Sequence, residues 1–180
     1  MKIWQISALA LLSFSVLPTP SIAAPSSGGG GHVKQVLHFA TMFGVDGAFV
    51  GATNPVAGVP GDELPWEIKS ASGHLDSNGR LKISIKGLVF AHDQSVPPEL
   101  QGTNDEANFR ALVSCQTDDG LGGVTTVTLT TDGFAATTKG NCKIDTTVAL
   151  PNPCIAPVVL VLAGSEDKWF AATGVEADDG

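Results

Sequence analysis

The sequence has no tyrosine, three tryptophans and eight phenylalanines, and this shortage of aromatic rings is its first constraint. Trp4 belongs to the opening apolar segment, which leaves Trp66 and Trp169 as the large rings that could stack on a sugar. A glycan-binding platform of exposed aromatics therefore has thin support, because both tryptophans fall in segments that read as core. Positive charge is equally scarce. Ten Lys and Arg stand against 18 Asp and Glu, a formal net charge of -8. Taken over the whole molecule, such a surface repels phosphate backbones and anionic headgroups. The expectation on that ground is a protein that does not bind nucleic acid, and the same balance argues against electrostatic docking to a membrane.

Motifs of catalysis are missing too. There is no G-x-S-x-G elbow, P-loop, H-E-x-x-H or dinucleotide fingerprint. Gly164-Ser165-Glu166 lacks the second glycine and a following helix. His32, His38, His74 and His92 include no pair spaced to present two imidazoles to one metal. Carboxylates cluster at Asp62-Glu63, Asn104-Asp105-Glu106, Asp118-Asp119-Gly120 and Glu166-Asp167, all in predicted turns. Asp76-Ser77-Asn78-Gly79 resembles the start of a calcium loop, but no bidentate Glu follows at the required distance. The expectation is no catalytic residue, no metal ligand and no cofactor; the alternative is a triad assembled in space, which leaves no local motif.

What is present begins with the anatomy of an export signal. Lys2 is followed by an apolar run over 6–17 and by Ser21-Ile22-Ala23, a small-x-small cleavage site. The run is shorter than the roughly 20 residues that a membrane-spanning helix needs, so 1–23 reads as a cleaved signal peptide. No cysteine lies near the site to accept a lipid. Val158 to Leu162 is the other strongly apolar run, and it has the length of a buried strand. The reading is therefore an exported protein, periplasmic or extracellular, without a membrane span. A Gly/Ser-rich linker, 24–31, then leads into one domain over 32–175, and an acidic tail closes the chain over 176–180.

Periodicity makes that domain all-β. Asn78-Gly79 is a strong hairpin signal. With these two residues as the turn, Ser77 faces Arg80. One face then collects Trp66, Ile68, Ser70, Ser72 and His74 with Leu81, Ile83, Ile85, Gly87 and Val89. Glu67, Lys69, Lys82, Ser84 and Lys86 share the wet face. On this register His74 is a hydrogen-bonded core residue. Phe109, Ala111, Val113 and Cys115 alternate with Arg110 and Ser114, and Cys142 and Ile144 alternate with Lys143 and Asp145. Further strands fall at 33–39, 124–131, 134–138, 158–162 and 169–173. The total is eight or nine short strands with turns between them, the spacing of a single antiparallel β-sandwich, immunoglobulin-like. The segments 51–65 and 94–106 are long loops, where a binding site would sit.

Three cysteines in an exported chain imply one disulfide and one leftover thiol. A Cys115–Cys142 pair would staple the two sheets together. A Cys115–Cys154 pair would close a longer loop, stabilise by about 3–4 kcal/mol on the chain-entropy model, and leave Cys142 as a small buried hydrophobe. The reading leans to Cys115–Cys154. No neighbouring residue lowers a thiol pKa enough to make a catalytic cysteine.

Val113-Ser114-Cys115, Leu150-Pro151-Asn152-Pro153-Cys154-Ile155-Ala156-Pro157 and Trp169-Phe170-Ala171-Ala172-Thr173-Gly174, with Trp66-Glu67-Ile68 and Gly87-Leu88-Val89, resemble a group of uncharacterised exported bacterial β-sandwich proteins. These carry spaced VSC, LPxPCxAP and WFAxTG motifs. The resemblance covers most of the chain beyond the first segment and implies a β fold and the Cys115–Cys154 pairing. It brings no activity to transfer. The functional expectation is a structural or protein-binding domain of the cell envelope or its exterior. The alternatives are a glycan-binding module or a hydrolase with a site on the long loops.

Overall fold

A computed structural model of the protein describes residues 33–174. The predicted signal peptide 1–23, linker 24–31 and tail 176–180 lie outside the described residues, as do His32 and Val175. Among the described residues no helix is long and apolar enough to cross a membrane.

Ten strands build two antiparallel sheets. They are β1 (Gln35–Phe39), β2 (Met42–Gly44), β3 (Trp66–Asp76), β4 (Arg80–Phe90), β5 (Asn108–Asp118), β6 (Val124–Thr130), β7 (Phe134–Ala135), β8 (Cys142–Thr147), β9 (Ile155–Ala163) and β10 (Trp169–Thr173). The first sheet runs β1-β3-β4-β8. The second runs β2-β10-β9-β5-β6, with β7 also paired to β5. The sheets pack face to face as the all-β sandwich that the alternation predicts. The tenth strand, β2, was not anticipated, because three residues carry no readable period.

The core forms where the two inner faces meet. Leu75, Leu81, Ile83, Ile85 and Ile144 come from the first sheet and Phe109, Val113, Val159 and Val161 from the second, all buried. At one end Trp66 stacks on Phe170 with ring centroids 3.9 Å apart, and Phe170 meets Phe109 edge-on at 5.9 Å. Each such aromatic pair adds about 0.5–1.5 kcal/mol beyond the area it buries. Both tryptophans are core residues, as expected.

The β3–β4 hairpin departs from the expected register by one residue. Leu75 opposes Leu81, His74 opposes Lys82 and Asp76 is the last β3 residue. The loop is therefore Ser77-Asn78-Gly79. Gly79 N–H donates to the Asp76 carbonyl at 2.8 Å and Gly79 has φ +84°, the type I turn plus left-handed glycine of a three-residue hairpin. One added loop residue turns β3 over. Ala71 and Leu75 point into the core, while Ser70, Ser72 and His74 point out. Gly87, at φ +64°, opposes Lys69 and breaks the alternation on β4. Beyond it Leu88 and Phe90, opposite Ile68 and Trp66, become the buried positions.

The disulfide joins Cys115 to Cys154, and Cys142 is a buried free thiol. Cys115 lies on β5 and Cys154 immediately precedes β9, which pairs with β5. The bridge thus links neighbouring strands of one sheet and does not staple the two sheets. It sits at an irregularity: Ser114 opposes Val158 but Gln116 opposes Ile155, so β9 carries an extra residue. Ala156 takes φ +49° there, the left-handed conformation found in one class of β-bulge.

Candidate functional site

The predicted loop over 51–65 does not project into solvent. It folds back along the outer face of the second sheet. Trp169 N–H donates to the Pro60 carbonyl at 3.0 Å and Asp62 N–H to the Trp169 carbonyl at 3.2 Å. These bonds hold Gly61 in a parallel bridge with Trp169. Val59 and Pro60 thereby come beside Leu112 and Leu162, outward side chains of β5 and β9 that are nonetheless buried.

The cover stops short of β2 and β10, and a cleft of about 750 Å³ opens there. Phe43, Phe49, Val56 and Trp169 form its apolar walls, with Asp46 and Thr173 among its polar positions. Phe43 reaches it from β2, opposite Ala172 of β10. Phe49 reaches it from a single 3₁₀ turn, Gly47–Phe49, which starts where the Asp46 carboxylate accepts the Gly47 N–H at 2.6 Å. The Phe49 ring meets Trp169 edge-on at 6.2 Å. Phe43 and Phe49 are 50% and 48% exposed, an unusual display for rings that could have been buried. Trp169 itself is buried, and its Nε1 has no hydrogen-bond partner among the described residues.

Beside the cleft, Asp62, Glu63 and Glu166 bring carboxylate oxygens within 4.8 Å of one another. The group carries its own cation. The Lys168 ammonium pairs with Glu63 and lies 3.0 Å from Glu166 Oε2. The bond to Glu63, then the bond to Glu166, holds the Lys168 pKa above its usual value, and the same ammonium draws the Glu63 carboxyl down. Asp62 is turned inward, where burial pushes its pKa up against the opposing pull of the Trp66 hydrogen bond. Two of the three acids are thus held by an internal ammonium and the third accepts from the Trp66 indole.

Other polar groups considered in the sequence have local partners. Asp118 and Asp119 accept backbone N–H groups of Gly120, Leu121 and Gly123 in their own turn. Asn104 is buried and bonded to Glu106 and to the Thr137 carbonyl. His92 Nδ1 meets Glu67 at 2.7 Å on the surface. His74, expected in the core, lies beside His38 on the outer face of the first sheet. Among the described residues no serine or cysteine hydrogen-bonds to a histidine.

The cleft residues left almost no mark in the sequence. Phe43 lies in a strand too short to show alternation, and Phe49 in a one-turn helix that begins with glycine. Fold and cleft together define a disulfide-bonded β-sandwich with an apolar cleft at one sheet edge. Comparison with family models, with curated proteins and with solved structures finds no match.

Proposed function

We propose that the protein is an exported binding domain that holds a partner protein by an apolar anchor residue seated between Phe43 and Phe49. The observation that carries this reading is the pair of half-exposed phenylalanines flanking a cleft of about 750 Å³, a volume within the range of ligand pockets. A buried aromatic or aliphatic side chain is the usual energetic centre of a protein interface. The signal-like segment over 1–23, the disulfide and the motif resemblance to exported bacterial proteins support export.

The test is selection of a displayed random-peptide library on the immobilised domain. The expected result is enrichment of peptides with a large apolar residue, and binding at least tenfold weaker in Phe43→Ser/Phe49→Ser at unchanged thermal stability. Enrichment that the double substitution leaves intact would overturn the reading. Binding of neutral oligosaccharides at the same two rings, without peptide enrichment, would replace it with a glycan-binding module.

A further inference from the structure

We propose that the outer face of the first sheet is a docking trough for a linear acidic polysaccharide. The basis is charge segregation in an acidic chain. Lys82 opposes Asp145 and His74, Ser84 opposes Lys143 and Ser72, and Lys86 opposes Ser70. His38 opposes His74. Opposed residues share a face, and these side chains point away from the core. Lys143 is a diagonal neighbour of both Lys82 and Lys86, so the backbone positions of the three lysines form a zigzag with steps of roughly 7–8 Å.

Two depressions follow that zigzag. One, of about 340 Å³, is lined by His38, His74, Lys82 and Lys143. The next, of about 310 Å³, is lined by Lys86, Asn141 and Lys143. They share Ser84 and Lys143, which makes one shallow trough along β4 and β8. Asp145 neutralises part of one end through Arg80 at 2.8 Å and Lys82 at 3.7 Å. Lys86 and Lys143 have no salt-bridge partner among the described residues.

The net charge of -8 does not cancel this patch, because salt screens exposed charges beyond about 8–10 Å. A ligand seated in the trough meets the nearby lysines rather than the molecular average. The chemistry then selects the polymer. A planar bilayer would not fill a trough, and none of the exposed large hydrophobic residues lies on β3, β4 or β8 to enter lipid. No Phe or Trp ring lines the trough to stack a nucleobase; its rings are the imidazoles of His38 and His74. Hydroxyl groups of Ser72 and Ser84 alternate with the ammonium groups, which suits a chain whose own hydroxyls alternate with carboxylates.

The test is binding of size-defined polygalacturonate oligomers to the disulfide-intact protein at low and at physiological ionic strength. Neutral dextran and anionic phosphatidylglycerol vesicles run beside it. The expected result is salt-sensitive binding of polygalacturonate, absent for dextran and vesicles. Lys86→Glu/Lys143→Glu should weaken it at least tenfold, and Lys34→Glu, at the far end of the hairpin, by less than twofold. Circular dichroism and thermal melting confirm that each variant is folded. Lys86→Gln/Lys143→Gln is the milder pair if charge reversal disturbs the sheet. No binding at low ionic strength, binding indifferent to the trough substitutions, or preference for the vesicles would overturn the proposal.

Discussion

The Trp66 indole N–H donates to the Asp62 carboxylate at 2.8 Å, which ties the loop across the second sheet to the first residue of β3. Both groups are buried, and Trp66 is also the ring stacked on Phe170. One hydrogen bond therefore joins the loop, the first sheet and the aromatic end of the core.

Asp62→Ala should cost about 1–3 kcal/mol, since it leaves a buried indole N–H without an acceptor. Asp62→Asn should behave differently, because its side-chain oxygen can still accept that bond. Burial raises the Asp62 pKa, so its contribution to stability is complete below the unfolded carboxyl value and is lost as pH rises through the folded one. Asn at this position should thus give a higher urea midpoint than wild type at pH 7, and the difference should shrink toward pH 3. An advantage that does not vary with pH would contradict this account.

Gly79→Ala should destabilise the protein by at least about 2 kcal/mol. The residue sits at φ +84°, a region costly for any side chain, and an added Cβ would overlap the Val148 carbonyl oxygen. Gly79 and Val148 are also joined by a backbone bond of 3.0 Å, so the strain falls on the residue that follows β8 as well as on the hairpin. Chemical denaturation of the single variant measures the cost directly.

Burial pushes the Cys142 thiol up to about 11, which leaves almost no thiolate at pH 8. Iodoacetamide should therefore leave the folded, disulfide-intact protein unmodified and add one group after unfolding. Two more should add only after reduction. The raised pKa also implies stability that falls as pH climbs from about 9 toward 11. A stoichiometric reaction in the native state at pH 8 would show that Cys142 is more open than its position indicates.

Replacing Cys115 and Cys154 together with alanine should cost about 4 kcal/mol, the chain-entropy value for a closed loop of this size, with 39 residues of separation. The loss should appear in the guanidinium midpoint of the folded variant. Loss of less than about 1 kcal/mol would mean that the reduced, unfolded chain is already constrained.

Much of this fold is readable from alternation alone. The inward set on β5 and the Cys142/Ile144 alternation on β8 are correct because each is a run of one period with charged residues between. The hairpin shows where such reading fails. Asn78-Gly79 locates the turn, but whether the loop holds two residues or three depends on the conformation Gly79 adopts. That single choice decides whether Ser72 and His74 or Ala71 and Leu75 enter the core. The β4 lysines were placed on the wet face correctly. Their alignment with Lys143 needed the β4–β8 pairing, a contact between residues about 60 apart in the chain. Phe43 and Phe49 were not legible for a different reason. Their importance lies in what fails to cover them.

The intra-sheet position of the disulfide also sets how the molecule would answer tension. With the bridge closed, the segment between Cys115 and Cys154 cannot lengthen, and roughly 130 Å of potential extension is withheld, taking about 3.4 Å per residue. Among the described residues no disulfide joins the two sheets. A pull between β1, at the edge of one sheet, and β10, in the other, would load the side-chain packing together with the backbone bonds through Val45 that join the sheets, and the last four residues of β5 with β6, β7 and β8 would still be enclosed in a sealed loop. A protein with that arrangement stretches only so far under load.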